Sequence, residues 1–208
     1  MTRRSFNRVC AGTLGGVMLG GVVRLGALAQ PQLWALPDDP DPRGNLGGYL
    51  QAFAPAEGCA GRDWIIPAEH DLTPVECGRL RAFMDAGARV VYELPARCYQ
   101  GRQERDRGLT RPLLRVLRPI LLHGEDGVCP YLHCSLGARS WYVRHDSEGV
   151  ALQPLGATRV LAVQAGQVLA AEFGCGAGRL LVLGTRMGAP IGRGDGAAHA
   201  FLQAWFTA

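Results

Sequence analysis

The stretch DWIIPAEHDLTPVECGRLRAFMDAGARVVYE, residues 63–93, decides the fold of this chain. Residues 63–67 are a short apolar run, typical of a buried strand. A helix is predicted to begin at Thr73-Pro74-Val75-Glu76, which combines an N-cap, a proline in the first turn and a glutamate that completes a capping box. Gly87 is suited to end that helix, and residues 88–94 form a second apolar strand. Strand, helix and strand with short links predict a βαβ unit with a parallel strand pair.

The rest of the chain adds a short strand, helices and a run of hairpins. Residues 33–36 suit a short strand, and Asn45 suits the cap of a short helix. Residues 110–122 match an amphipathic helix, and Asp195 suits the cap of a final helix. Short apolar segments separated by glycines predict strands and hairpins over residues 131–134, 140–144, 159–163, 167–173 and 179–184.

Two of these patterns resemble a known superfamily. The chain resembles class I glutamine amidotransferase-like domains in two stretches. One is residues 63–93, and the other is the glycine-flanked strand of residues 178–184 with the helix that Asp195 caps. The similarity is greatest to the non-enzymatic branch, which includes the trimerisation domains of some β-galactosidases. The resemblance implies a flavodoxin-like three-layer α/β sandwich over residues 30–208, with a partly parallel sheet and antiparallel C-terminal hairpins.

Enzymes of that superfamily carry a nucleophilic cysteine in a Gly-x-Cys-x-Gly turn and a late His-Glu pair. Here Pro95-Ala96-Arg97-Cys98-Tyr99 has no glycine beside the cysteine, and His199 has no adjacent glutamate. The sequence therefore favours a non-catalytic member. The alternative is a cysteine hydrolase or amidase with Cys98 as the nucleophile.

The first 29 residues resemble an export signal of the twin-arginine pathway. Arg3 and Arg4 precede Phe6, an uncharged glycine-rich stretch follows, and Ala27-Leu28-Ala29 matches a small-x-small cleavage site. The pattern predicts a periplasmic protein that meets the twin-arginine translocase during export. The uncharged stretch is shorter than the roughly 20 residues that span a bilayer, so no stable membrane span is predicted after cleavage.

Charge excludes several classes of function. The formal net charge is +4, and the first 29 residues supply four arginines and no acid. The remainder is neutral, which argues against nucleic acid as a partner because phosphate binding requires a basic excess. All 22 basic residues are arginine. Without lysine, a Schiff-base lysine, a P-loop lysine and a Ser-Lys dyad are excluded.

Candidate site residues cluster at the ends of the two predicted parallel strands. Glu69 and His70 follow the first strand, Glu93 ends the second, and Arg97 and Cys98 follow it. Ligands of open parallel sheets bind outside these carboxyl ends, so we expect Glu69, His70, Glu93 and Arg97 to bind a small polar ligand. In the hydrolase alternative, Cys98, His70 and Glu93 are the catalytic residues. A plainer interpretation is a set of solvated loop ends, with Glu93 paired to an arginine.

Cysteine and histidine raise a third possibility. Cys129 and Cys134 are the nearest cysteine pair and the candidates for a disulfide in an oxidising compartment. With His123 and His133 they form a local cluster whose ligand types suit zinc or copper, although the spacing matches no standard zinc finger. A redox or metal-binding protein therefore stays an alternative. The leading hypothesis is an exported, non-catalytic domain, without metal or cofactor, that binds a small polar ligand or a partner protein.

Overall fold

The structure is a computed structural model, and it describes residues 31–34, 44–53, 63–94, 107–110, 112–121, 131–144 and 148–208. Its strands and helices follow one another along the chain. In order, they are β1 Gln32–Leu33, α1 Asn45–Ala52, β2 Asp63–Ile66, α2 Pro74–Asp85, β3 Arg89–Glu93, α3 Arg107–Thr110, β4 Leu114–Leu121, β5 Tyr131–Leu136, β6 Arg139–Arg144, β7 Glu148–Pro154, β8 Arg159–Gln164, β9 Gln167–Cys175, β10 Gly178–Leu183, α4 Gly188–Gly192 and α5 Gly196–Thr207.

The described strands form a single sheet in the order β1-β2-β3-β10-β9-β8-β5-β6, with β7 pairing β9 and β4 pairing β7 beside this path. The first four strands are parallel to one another. All pairs beyond β10 are antiparallel. The predicted βαβ unit is present as β2, α2 and β3. Its helix begins at the predicted capping box, in which the side chains of Thr73 and Glu76 each bind the other residue's backbone N–H.

The flavodoxin-like three-layer sandwich is wrong as the description of this fold. Strands dominate the described residues, and α3 and α4 are only four and five residues long. The sheet extends through six antiparallel strands, joined partly by hairpins and partly by longer connections, instead of through further βαβ crossovers. The hairpins themselves were visible in the sequence. Ala165 and Gly166 take positive φ in the β8–β9 turn, as does Gly176 in the β9–β10 turn.

The helix predicted over residues 110–122 is also wrong. Strand β4 occupies most of that segment and pairs antiparallel with β7. Pro119, inside the segment, cannot continue a helix, whereas it is tolerated in a strand that pairs on one side. The apolar residues and arginines over Leu114–Leu121 do not alternate strictly, and the register with β7 shifts between Val116 and Arg118.

The sheet buries a core on each of its two faces. Strands β2, β3 and β10 contribute side chains to both cores, which explains why their sequences are continuous apolar runs. One core lies under α1 and α5, with Tyr49, Phe201 and Trp205 fully buried. The other lies under α2 and the antiparallel β4–β7 strand pair, with Leu80 and Leu152 among its buried members.

The outer antiparallel strands leave part of one face uncovered. We call this the open face and define it by Tyr131, His133, Tyr142, Val160 and Val163. His133 pairs with Tyr142 across β5–β6 and with Val163 across β5–β8, so the three share a face. The register of β8 shifts at Leu161–Ala162, so Val160 and Val163 are both exposed while the two residues between them are buried.

None of the helices among the described residues is both long and apolar enough to span a membrane. The predicted export signal, with Arg3, Arg4 and Ala29, lies outside the described residues, and the periplasmic location stays a prediction. The assignment of residues 30–208 to one domain also stays a prediction.

Candidate functional site

Glu93, the last residue of β3, is the centre of the candidate site. Its side chain is fully buried. One carboxylate oxygen, Oε1, accepts from the Tyr49 hydroxyl at 2.5 Å and from the Met187 backbone N–H at 2.6 Å. The other, Oε2, accepts from Asn45 Nδ2 at 2.5 Å and from the Ala68 backbone N–H at 3.0 Å. Both oxygens are therefore occupied by donors.

The parallel sheet explains why these donors meet. Strand β3 lies between β2 and β10, so the segments that leave those two strands pass on either side of Glu93. Ala68 follows β2 and Met187 follows β10. Asn45 and Tyr49 are four residues apart on α1 and therefore lie on one side of the helix. The carboxylate thus connects both neighbouring strands to the helix above them.

Asn45 extends this network to the surface. Its Nδ2 also donates to Glu69 Oε2 at 3.0 Å, and its Oδ1 accepts from the Ala189 backbone N–H at 3.0 Å. Glu69 and Arg186 are both about two-fifths exposed, and 3.9 Å separates Arg186 Nε from Glu69 Oε1. We call Glu69 and Arg186 the polar edge. Both are solvent-accessible charged groups; the buried network holds Glu69, and Arg186 lies beside it.

His70 points to a different group. Its Nε2 lies 2.9 Å from Glu76 Oε1, which also accepts from Trp34 Nε1 at 3.0 Å. Burial acts to raise the pKa of Glu76, but hydrogen bonds from Thr73, Trp34 and His70 outweigh it and lower the pKa to about 2. The imidazole therefore helps to fix the start of α2 and does not face Glu93.

The structure brings together part of the site predicted from the sequence. Glu69 and Glu93 converge through the amide of Asn45, whereas His70 does not join them. Arg97 and Cys98 lie outside the described residues, so their roles stay predictions. The plainer interpretation paired Glu93 with an arginine, but the four donors that contact it are all uncharged.

Sequence reasoning missed Asn45, Tyr49 and Arg186 as members of the site. Asn45 was interpreted as a helix cap, but Gly44 is the N-cap and makes no side-chain cap hydrogen bond. The available signal was the four-residue spacing of two polar residues, Asn45 and Tyr49, on one short helix.

Burial sets the protonation of this network. It raises the pKa of Glu93, with a smaller contribution from the negative charge of Glu69, to about 7, although hydrogen bonds from Tyr49, Asn45 and Met187 act in the opposite direction. Burial and the neighbouring Glu93 likewise raise the pKa of Tyr49 well above its usual value. Tyr49 therefore stays protonated and donates to Glu93 across the physiological range.

We expect the free energy of unfolding to fall as the pH rises from about 4.5 to about 7. In this window the unfolded chain has lost the Glu93 proton while the folded protein retains it, so the folded state binds more protons. The difference between pKa values of 4.5 and about 7 corresponds to about 3 kcal/mol from this group. Urea unfolding at pH 5 and pH 8, with an NMR titration of the Glu93 carboxyl carbon, measures both quantities. A Glu93 pKa near 4.5 would contradict the expectation.

The predicted disulfide between Cys129 and Cys134 is wrong in this structure. Cys134 and Cys77 are buried thiols that form no disulfide, and Cys175 is a half-buried thiol that forms none either. Burial, with a smaller effect from Asp195, raises the pKa of Cys134 to about 12, so this thiol is unreactive at neutral pH. Cys129 lies outside the described residues.

The metal-binding alternative rests on the same region of the chain. His133 stacks on Tyr142 on the open face, with ring centroids 5.0 Å apart, while Cys134 points into the core beneath α5. The two side chains therefore lie on opposite faces of β5. Within the part of the chain that the structure describes, no group of three or more His, Cys, Asp or Glu side chains is placed to hold a metal ion.

Comparison with known proteins gives the fold a partial context. No family model and no curated protein matches the chain. Among solved structures, it is similar to a β-galactosidase from Rahnella sp. R3, at 17% identity and a TM-score of 0.52 over 69% of this chain and 22% of that one. A β-galactosidase from Halorubrum lacusprofundi is 16% identical, with a TM-score of 0.50 over 71% of this chain and 22% of that one. An exo-β-1,4-mannosidase from Opitutaceae bacterium strain TAV5 is 14% identical, with a TM-score of 0.48 over 70% of this chain and 24% of that one.

The resemblance to glutamine amidotransferase-like proteins is corrected by the two matches with a TM-score of 0.50 or more, because both are β-galactosidases. The chain spans about a quarter or less of the length of each. At this level of identity the likeness concerns the fold alone. The residues that carried the resemblance form a βαβ unit, a hairpin strand and a capped helix, which are local structures shared by many folds. The comparisons also contain no support for the export signal.

Proposed function

We propose that this protein is an exported, non-catalytic binding domain of the periplasm, and that its polar edge binds a small polar ligand. The observation that carries the proposal is the state of Glu93. This carboxylate occupies the position expected of a reactive group at the strand ends, yet it is buried and accepts hydrogen bonds from four groups of the protein.

Burial of Glu93 argues against catalysis at this edge. A general acid or base must approach within hydrogen-bond distance of the proton that it transfers, directly or through one water molecule. The pKa of Glu93 near 7 would suit such a role, but its oxygens face Tyr49, Asn45 and two backbone amides. The network instead stabilises the ends of β2, β3 and β10 against α1.

Glu69 and Arg186 have the properties of a binding pair. They lie at the carboxyl ends of parallel strands, where ligands of such sheets bind. Their separation of 3.9 Å is too long for a hydrogen bond, so the guanidinium and one carboxylate oxygen retain capacity for a ligand. Glu69 is held by Asn45, whose amide is fixed in turn by Glu93 and Ala189. A preorganised acceptor beside a guanidinium that keeps hydrogen-bond donors available suits a ligand with both hydroxyl and carboxylate groups.

Titration calorimetry tests this function. The probes are galactose, mannose, malate and glycine; the two sugars are included because of the β-galactosidases and the mannosidase reported above. We expect one probe to bind, and Glu69→Gln or Arg186→Gln to weaken its binding about 10-fold or more, the loss that follows from removing one charge-assisted hydrogen bond. Arg115→Gln is the matched control, because Arg115 is an exposed arginine on β4. It should leave the affinity unchanged. Equal affinity in all four proteins, or no binding of any probe, contradicts the proposal.

Binding of a partner protein is the second candidate function, and the open face favours it. Tyr142 is 65% exposed, and Tyr131, Val160 and Val163 are exposed beside it. Arg144 pairs with Tyr131 on the same face. Strands β5, β6 and β8 contain no acidic residue, so an acidic surface on the partner would complement the charge of the open face. A photo-cross-linker at Tyr142 should capture a defined protein, whereas one at Val75, which is 73% exposed on α2, should not. The same adduct from both positions contradicts this function.

A further inference from the structure

A cavity of about 540 Å³ lies between the C-terminal half of α5 and the neighbouring strands, away from the polar edge. Its walls include Phe53, Trp141 and Phe206, and also the start of β3 at Arg89. Because Arg89 is at the amino end of β3 and Glu93 at the carboxyl end, the cavity and the polar edge are at opposite ends of the parallel strands. The volume is within the range of small-molecule sites.

The apolar part of the cavity is rigid. Trp141 is half-buried, and its ring meets Phe201 edge to face with centroids 5.7 Å apart. Phe206 packs in the same way against Phe53 and against Trp205. Rings held by edge-to-face contacts with core residues form a fixed surface for a flat apolar group.

The polar part of the cavity carries an uncompensated positive charge. Arg89 is neutralised by Asp63, which it binds through Nε at 2.8 Å and through a terminal nitrogen at 2.6 Å. Arg139 also lines the cavity and is exposed, and it has no hydrogen-bond or ion-pair partner among the described residues. No acidic residue is among the lining residues of the described chain. The Arg139 guanidinium therefore has all its donors available beside an apolar surface.

We infer that this cavity binds a small organic anion with a flat apolar body, such as an aromatic carboxylate. The ring of the ligand packs between Trp141 and Phe206, and its carboxylate accepts two hydrogen bonds from the planar guanidinium of Arg139. Gln203 on α5 lines the same cavity and offers an amide to the ligand. This site is separate from the polar edge, so either proposal can fail without the other.

Two probes of nearly the same shape, one anionic and one neutral, test the inference. Titration calorimetry measures the affinity for 2-naphthoate and for its neutral counterpart, 2-naphthamide. We expect naphthoate to bind more tightly, and Arg139→Gln to weaken naphthoate binding about 10- to 100-fold while naphthamide binding changes little. Raising the salt concentration should weaken naphthoate binding alone.

Arg144→Gln is the matched control, because Arg144 lies on the same strand but on the opposite face of the sheet. It should leave the affinity for naphthoate unchanged. Arg139 is exposed, so its replacement does not threaten the fold. Equal binding of both probes, unchanged naphthoate affinity in Arg139→Gln, or no binding of naphthoate overturns the inference. A dimer in light scattering that dissociates in Trp141→Ser, with no probe bound, would show that a second copy fills the cavity instead.

Discussion

Replacing Glu93 by glutamine should lower the free energy of unfolding by about 3 kcal/mol at pH 5. Glutamine has nearly the shape of glutamate, but one of its two terminal groups is an NH₂ that cannot accept a hydrogen bond. A buried donor left without an acceptor costs roughly 1–3 kcal/mol, and here two donors would face the new amide. Urea unfolding followed by circular dichroism measures the change.

Neither orientation of the new amide relieves the conflict. If its NH₂ replaces Oε1, it faces the hydroxyl of Tyr49, which can rotate, and the backbone N–H of Met187, which cannot. If it replaces Oε2, it faces the Ala68 N–H and an Asn45 amide whose oxygen is already bound to Ala189. A protonated carboxyl differs, because its hydroxyl oxygen still accepts while it donates. Wild-type protein therefore tolerates protonation at pH 5, and the deficit of the variant should shrink towards pH 8.

Glu69→Gln is the control for this prediction. Glu69 accepts from the same Asn45 amide but is about two-fifths exposed, so water can replace its lost hydrogen bond. We expect a change below about 1 kcal/mol. A loss for Glu93→Gln no larger than that for Glu69→Gln would show that the buried network does not stabilise the strand ends.

Replacing Gly48 by alanine should cost about 3 kcal/mol or more, and no rotamer change can relieve it. A Cβ at Gly48 would lie 1.8 Å from the backbone oxygen of Gly188 and 2.6 Å from the backbone nitrogen of Gly192. Overpacking commonly costs 1–3 kcal/mol when side chains can move, and here the obstacles are backbone atoms. Helices α1 and α4 would have to separate, which would draw Met187 away from Glu93. Thermal and urea unfolding measure the loss.

Gly78→Ala is the matched control, because it makes the same change in another helix, α2. A Cβ at Gly78 meets no atom within 4 Å. Alanine at an exposed helical position is favoured over glycine by up to about 1 kcal/mol, so this variant should be slightly more stable than wild type. Similar losses in both variants would rule out the close approach of α1 and α4 as the cause.

Apart from strand β4 and the cap of α1, the local structure of these elements could be read from the sequence, whereas the way they assemble could not. The capping box at Thr73, the cap at Asp195 and the turns at Gly166 and Gly176 act through neighbouring residues, and each is present. The class of fold depends on which strands pair. The sequence of β10 is equally compatible with a neighbour on either side, so it could not show that β10 pairs with both β3 and β9.

The candidate site was predictable only where it follows from strand ends. Glu69 and Glu93 each follow or end a strand of the βαβ unit, so their convergence could be expected. Asn45, Tyr49 and Met187 reach Glu93 through contacts between distant segments, which no local pattern encodes. His70 was misplaced because it was assigned from its position after β2 alone, although Glu76 lies only six residues further along the chain and binds it.

The central position of β10 has a consequence for how the protein folds. Arg179 pairs with Arg89 in a parallel register, the strand pair with the greatest separation in sequence in this sheet. Until the β9–β10 hairpin pairs with β3, the parallel strands and the antiparallel strands have no common hydrogen-bonded boundary, and β3 and β10 each have an unpaired edge. Long-range parallel pairing is slow because the loop must close before the contact forms. We therefore expect a single late, rate-limiting folding step, after which both halves of the sheet acquire protection from hydrogen exchange together.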